Sequence, residues 1–511
     1  MTHTIRAGNV LRLLSAGALL ALAPAVLGAT NYTIATFADD AVVNGNCTLR
    51  EALRAANFNL VIDACPAGGP ADAIVLPSGT YPFSGEEQLA FPGTVSITSA
   101  TLNPFNVTID LQGAGRFLYI NGGGPYTLGG LGILNGLAGF GGDDGGAIRA
   151  GGVGLTLFNF RFVSNLAPYA GGAVSFNSGA DSNHYLTLHN GTFLTNQATD
   201  AAPSSTTNGG ALSLSMQGGN HADLRDVSFN GNSATGGFVQ GGALTVFAFG
   251  AGSSFDCVRC SFGSNSLVAN ASGANGYAAV SVQAGSGSAV SFRDSRFIGN
   301  SATAGAGAQA FSALVASATD NAMIEFERLF VDANLGPGGG FDYDMRLGVA
   351  SGAIVWLLNS ELTFGAANGL QAYLASAGNL RLGHLTIADY PGNGASIDGS
   401  NLGGAALQNS IVAFNDGTDL IDFGGALAQT GNFIGGNPLF LDEPNGNYRL
   451  SVASPAIDNG TNGTLTQRLA DLDHGSRKVG LTTDIGCYEF NSLFADGFDV
   501  GDTGSWSSSA P

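Results

Sequence analysis

The sequence predicts an all-β solenoid of short strands, closed by a cap at each end. Three observations carry that expectation. Glycine supplies 79 of the 511 residues, roughly twice its usual share. A GGA step followed by an aliphatic residue recurs at 145–148, 171–174, 209–212 and 241–244. Alternating with it, FxxN recurs at 162–165, 193–196, 229–232, 262–265 and 297–300. Self-similarity of this kind marks stacked units, none of which can bury its apolar face alone.

Alignment on the Phe exposes a wider template. Five residues before it stand Leu157, Leu188, Leu224, Cys257 and Phe292, and two before it Phe160, Gly191, Val227, Cys260 and Ser295. Copies with an aliphatic residue in place of the Phe are centred on Ile133, Val331, Ile387 and Val412, with a weaker match at Phe364. The successive spacings are 29, 31, 36, 33, 35, 34, 33, 23 and 25 residues. Strands stacked in register would turn these positions into inward apolar columns. The step from −5 to −2 breaks the two-residue alternation once and predicts a bend between two short strands. The recurrent Asn falls at an expected turn, where it tolerates left-handed backbone and its amide can bond to the next turn. Glycine in GGA suits a loop whose backbone other residues resist.

The ends of a solenoid must be covered. Thr48-Leu49-Arg50-Glu51 has the pattern of a capping box, and Leu49, Ala52, Leu53 and Ala56 then form one apolar helical face. That helix would lie over the first turn, stapled by a Cys47–Cys65 disulfide across it. Cys257 and Cys260 form a lone CxxC in two inward columns, where a local disulfide or plain apolar filling explains them. Zinc would need two further ligands. Cys487 remains, as a buried small apolar residue or a free thiol.

Residues 1–29 read as a secretory signal peptide, with Arg6 and Arg12 ahead of an apolar run and Leu27-Gly28-Ala29 as a cleavage site. Its removal takes away those two arginines from a net charge of −20. No other stretch is apolar for the ~20 residues of a membrane helix, so no transmembrane segment is expected in the mature chain. An apolar share of 44% with 11% charged residues excludes disorder and a coiled coil. One lysine, Lys478, in so acidic a chain makes nucleic acid a poor partner. The expected organisation is a signal peptide at 1–29, an N-terminal cap at 30–100, repeats at 101–440, a C-terminal cap at 441–490 and an acidic, Ser-rich tail at 491–511.

CTLREALRAAN at 47–57 with DAIVLPSGTYPF at 72–83 resembles the CSLREA domain of exported bacterial β-helix proteins. NPLFLDEPNGNYRLSVASPAIDNG at 437–460 with TDIGCYEF at 483–490 is similar to the choice-of-anchor Q domain. The alternating GGA and FxxN resemble the repeats of polymorphic outer membrane proteins, which are surface adhesins. FADGFDVGDTGSWS at 494–507 is similar to the acidic tails of exported proteobacterial proteins. These resemblances imply a right-handed parallel β-helix of the pectate-lyase-like kind with an N-terminal capping helix. They also imply a secreted or extracellular location, associated with the outer surface of a Gram-negative bacterium. Such adhesins carry a C-terminal translocator barrel. The 21 residues after Phe490 are too few for the eight strands of ~10 residues that a barrel needs.

Enzymes on this fold require acids, a base and aromatic sugar platforms in one groove. The template stacks Asp223 on Asp256, ~4.8 Å apart by sheet spacing, close to the separation of a retaining carboxylate pair and able to share calcium. His189, Arg225 and Arg293 lie two residues on. Against catalysis, Asn190, Asp226, Arg259 and Asp294 make an alternating charge ladder of the sort that keeps an exposed sheet face soluble. Asp471, Asp473 and His474 fall in the cap, as structural residues. Asp143-Asp144 form a loop pair, solvent-exposed or a weak calcium ligand. Elsewhere the acids are scattered, with no aromatic cluster outside the core columns. The expected role is therefore non-catalytic adhesion or binding to glycans or to cell-surface and matrix components. The alternatives are a polysaccharide lyase or glycoside hydrolase acting on acidic polysaccharide, and a structural surface-layer spacer.

Overall fold

The computed structural model describes residues 30–490, apart from 91–92, 140–142, 182, 201, 203, 337–341, 400–403 and 464–469. The signal peptide and the acidic tail lie outside the described residues. The chain coils as a right-handed parallel β-helix in which each turn contributes a strand to each of two long sheets, of 22 and 15 strands among the described residues. A third sheet of five short strands lines part of the remaining side.

One turn illustrates the rest. Leu212–Met216 lies in the second sheet, and His221–Asn230 runs through the first with a bend at Asp226. Ser233–Gly236 then adds to the short sheet, and the GGAL step at 241–244 leads into Leu244–Phe249, directly above Leu212–Met216. The first glycine of each GGA step has φ between +60° and +69°. A Cβ on the second would meet the backbone oxygen of the next turn, at 2.1 Å for Gly172 and 2.0 Å for Gly210. The motif thus marks where neighbouring turns come closest, a place only glycine fits.

The Phe column is continuous. Phe162, Phe193, Phe229, Phe262 and Phe297 stack with ring centroids 4.8–5.3 Å apart and planes within 14° of parallel. Val331, Leu362, Ile387 and Val412 extend it. Leu362 therefore takes the place expected of Phe364, which is instead exposed beside Tyr448. The reason is spacing. A column position is fixed by distance from the bend at Asn359, and aromatic character alone misled the alignment.

Two further expectations are corrected. The ladder asparagines do not themselves adopt left-handed backbone. Ser164, Thr195, Gly231, Ser264, Gly299 and Ala333, one residue earlier, do so, which turns each Asn side chain inward. The charged column is not on a sheet face either. Asn190, Asp226, Arg259 and Asp294 are the bend itself, each with φ between 54° and 56°.

Helix α1, Leu49–Phe58, covers the first turn. Thr48 Oγ1 accepts from Glu51 N at 3.2 Å, and Glu51 Oε2 accepts from Thr48 N at 3.0 Å, which completes the capping box. Cys47 and Cys65 are disulfide-bonded beside it, and Arg50 fastens the helix to Asp39 and Glu87 at 2.6 and 2.5 Å. Strand pairing already begins within 30–100, where Thr30–Thr33 pairs with Ala71–Leu76. Cys257 and Cys260 form the second disulfide across the bend, and Cys487 is a buried free thiol. At the far end, buried Arg477 pairs with Glu489 at 2.6 Å and holds the cap together. No helix among the described residues is long and apolar enough to cross a membrane.

Candidate functional site

Two faces bring chemistry-bearing side chains together. On the first sheet, Asp223 and Asp256 are register partners on adjacent strands, as the template requires. Each carboxylate is engaged separately. Asp223 accepts from Arg225 Nε at 3.0 and 2.9 Å and lies 3.3 Å from His189 Nε2. Asp256 accepts from Ser291 Oγ at 2.8 Å and Arg293 Nη2 at 3.3 Å.

This arrangement is poor for base catalysis by arginine. The hydrogen bond from Arg225 to Asp223 raises the guanidinium pKa further, whereas a general base must give up its proton near the working pH. The bend beside it carries two more pairs, Arg259 with Asp226 at 2.7 Å and Arg328 with Asp294 at 2.5 Å. Hydrogen bonding to Arg259 holds Asp226 below the usual carboxylate range. Among the described residues no three side chains of His, Cys, Asp or Glu converge as a metal site. Asp143 lies 3.5 Å from both Arg116 and Arg149. In the cap, Asp471 accepts from Gly475 N, and Asp473 pairs with Arg449 at 2.6 Å.

The second face was not expected. On the second sheet Ser281, Val315, Arg346, Gln371 and Ser396 share one outward column, and Gln283, Ser317, Gly348, Tyr373 and Asp398 share the next. Arg346 is flanked from the turn before and the turn after. Its guanidinium carbon lies 5.1 Å from the Phe311 ring centroid and 4.9 Å from that of Tyr373. Such contacts hold a cation in place without neutralising it. Gly348 permits the pose, because a Cβ there would lie 2.5 Å from the Tyr373 hydroxyl.

Cavities of about 140 and 250 Å³ open on either side of Arg346 and Tyr373. The first has no acid in its lining, which includes Gln240, Tyr277 and Gln283. Gln283 Nε2 donates to Gln240 Oε1 at 2.9 Å, and the Tyr277 ring stacks on Phe311 with centroids 6.1 Å apart. The second cavity adds Gln371, Asp398 and Phe423. An aromatic cluster outside the core columns is thus present, contrary to the expectation from sequence. Its members come from different turns and meet only by stacking. The signal was nevertheless there: the aliphatic column that follows GGA continues without the motif through Val280, Leu314, Met345 and Leu370, and Ser281, Val315, Arg346 and Gln371 each come one residue later.

No protein-family model matches the chain, and no curated protein does. Among solved structures, that of pectate lyase Pel9A is similar at 13% identity with a TM-score of 0.36, covering 91% of this chain and 98% of the lyase. The PL6 family alginate lyase AlyGC is similar at 10% identity with a TM-score of 0.11, covering 71% and 86%.

Proposed function

We propose that this is a secreted or cell-surface β-helix protein with a non-catalytic role in adhesion, binding glycans or other cell-surface and matrix components. The observation that carries this reading is the groove on the second sheet, where tyrosines, glutamines and an aromatic-flanked arginine line adjoining cavities. Ring faces suit sugar C–H surfaces and side-chain amides suit sugar hydroxyls, the usual composition of a small-molecule site. The resemblances to the CSLREA domain, to the choice-of-anchor Q domain and to surface-adhesin repeats support export and an outer-surface location in a Gram-negative bacterium.

A second reading, a polysaccharide lyase or glycoside hydrolase, rests on the Asp223–Asp256 register pair. Calcium at those two residues is a separate reading, and unchanged melting with chelator would remove it. The testing experiment is product release by the mature protein on uronic-acid and neutral polysaccharides, with Ca²⁺ present and then chelated. Ultraviolet absorbance reads unsaturated ends, and a reducing-end assay reads hydrolysis. The expected result is retention of glycans without turnover. Turnover that disappears in Asp223→Ala or Asp256→Ala would replace binding with catalysis on the first sheet, and its loss on chelation would place calcium there.

A further inference from the structure

Arg346 has no hydrogen-bond or ion-pair partner among the described residues. Its Nε is buried and unpartnered, and so is the Oε1 of Gln371, the register neighbour of Arg346 one turn on. Both of those atoms are closed to solvent, so what the groove offers a ligand is the Nη end of Arg346 and the amide nitrogen of Gln371, neither of which is among the buried unpartnered atoms. The rings of Phe311 and Tyr373 occupy the surroundings of the guanidinium, while its N–H groups lie along its edge. An edge of parallel donors matches a carboxylate bidentately.

We propose that this groove takes a carboxylate-bearing sugar residue of a glycan, its carboxylate on the Nη edge of Arg346 and a neighbouring hydroxyl accepting from the Gln371 amide. The inference rests on the glycan-binding reading above and names its ligand class. The anion is a sparse one. A chain of net charge −20 repels densely charged polymers at long range, but a single carboxylate reaches Arg346 from the cavity whose lining holds no acid. The adjoining cavity, which holds Gln371, also carries Asp398, and that acid disfavours a second anion. Tyr373 is a positioning residue as well as a platform, since its ring lies over Gly348 and against Arg346.

The test is calorimetric titration of the mature protein with three sets of oligosaccharides: uronic-acid chains, sialylated glycans, and the carboxyl-reduced form of each. Binding by one acidic set, weakened roughly 10- to 100-fold by carboxyl reduction and by Arg346→Gln, is the expected result. Which acidic set binds identifies the source of the carboxylate. Gly348→Ala, which displaces Tyr373 without touching the charge, should weaken binding less, and Arg259→Gln at the bend should leave it unchanged. Thermal unfolding of each variant separates lost binding from lost folding. Equal binding of acidic and reduced glycans, or full binding by a folded Arg346→Gln, overturns this inference and leaves the glycan reading intact. Failure of every glycan to bind overturns both.

Discussion

Asp344 stands two residues before Arg346 and is buried, with Ser312 Oγ donating to it at 2.6 Å and the Tyr390 hydroxyl at 3.0 Å. Burial raises its pKa to about 7, against the pull of those two hydrogen bonds. Glu361 is likewise raised to about 7 and Asp484 to about 6, burial again being the main cause. An acid whose folded pKa is raised binds its proton more tightly in the folded state than in the unfolded one. Its contribution to stability is complete below about pH 4 and is lost as pH rises toward 7. Asp39 and Asp226, held low, act in the opposite sense and lose their contribution only in stronger acid. Buried His384, held well below its usual pKa by burial, works against this by gaining stability as pH rises through the same interval. With three raised acids against one histidine, the protein should melt at a lower temperature at pH 7.5 than at pH 5. Asp344→Asn should flatten that slope, measured by thermal unfolding across the interval. An unchanged slope would mean that Asp344 is already ionised in the folded protein.

At the scale of an element, the asparagine ladder holds successive turns together on the inside. Asn165, Asn196, Asn232, Asn265, Asn300 and Asn334 are all fully buried. Each Nδ2 but the last donates to the next Oδ1 at 2.9–3.0 Å. Each Oδ1 from Asn196 onward also accepts a backbone N–H from the turn before it. Their Nδ2 atoms reach the carbonyl of an inward Ile or Phe on the preceding turn, such as Phe193 O from Asn232. The side chain completes hydrogen bonds that backbone alone cannot make where the chain leaves the sheet. Asn232→Ala would take away the side-chain partner of Asn196 N, of Phe193 O and of one N–H of Asn196 Nδ2, whose other N–H keeps Phe162 O, in a dry interior. With ~1–3 kcal/mol per stranded group and partial relaxation, a loss of about 3 kcal/mol is expected, read as a lower urea midpoint. A loss below ~1 kcal/mol would mean that water enters the ladder. Asn232→Asp should cost at least as much, because it removes a donor and buries a charge.

The whole molecule is close to one-dimensional, since each turn pairs only with the turns on either side. A complete turn should therefore be removable. Deleting residues 163–193 joins Phe162 to Leu194, which follows the equivalent Phe one turn later. The 31-residue spacing preserves every column, and Arg346 lies on later turns. The shortened chain should fold to the same circular dichroism per residue, with reduced stability and undiminished glycan binding. Deleting residues 163–178 instead displaces every later column and should prevent folding. A well-folded product from the second deletion would show that column register does not specify this fold.

Much of this architecture is legible in the chain. The Phe and Leu columns, the ladder, the capping box and the Cys47–Cys65 staple each depend on residue type at a fixed interval, and an interval survives in one dimension. The misread positions share a cause. Phe364 looks like a column residue until the bend at Asn359 shows that Leu362 points inward. The charges at 226, 259 and 294 look like a sheet face until their backbone proves to be the corner. The groove was the least legible part, although the lapsed GGA column ran straight to it. Tyr277, Phe311, Arg346, Gln371 and Tyr373 belong to four turns and carry no common motif. They form one site because stacking at sheet spacing brings residues some thirty positions apart within a few ångströms. Sequence alone determined the repeat, its inward columns and its caps; which outward side chains meet was decided by the coil, whose pitch converts period into proximity.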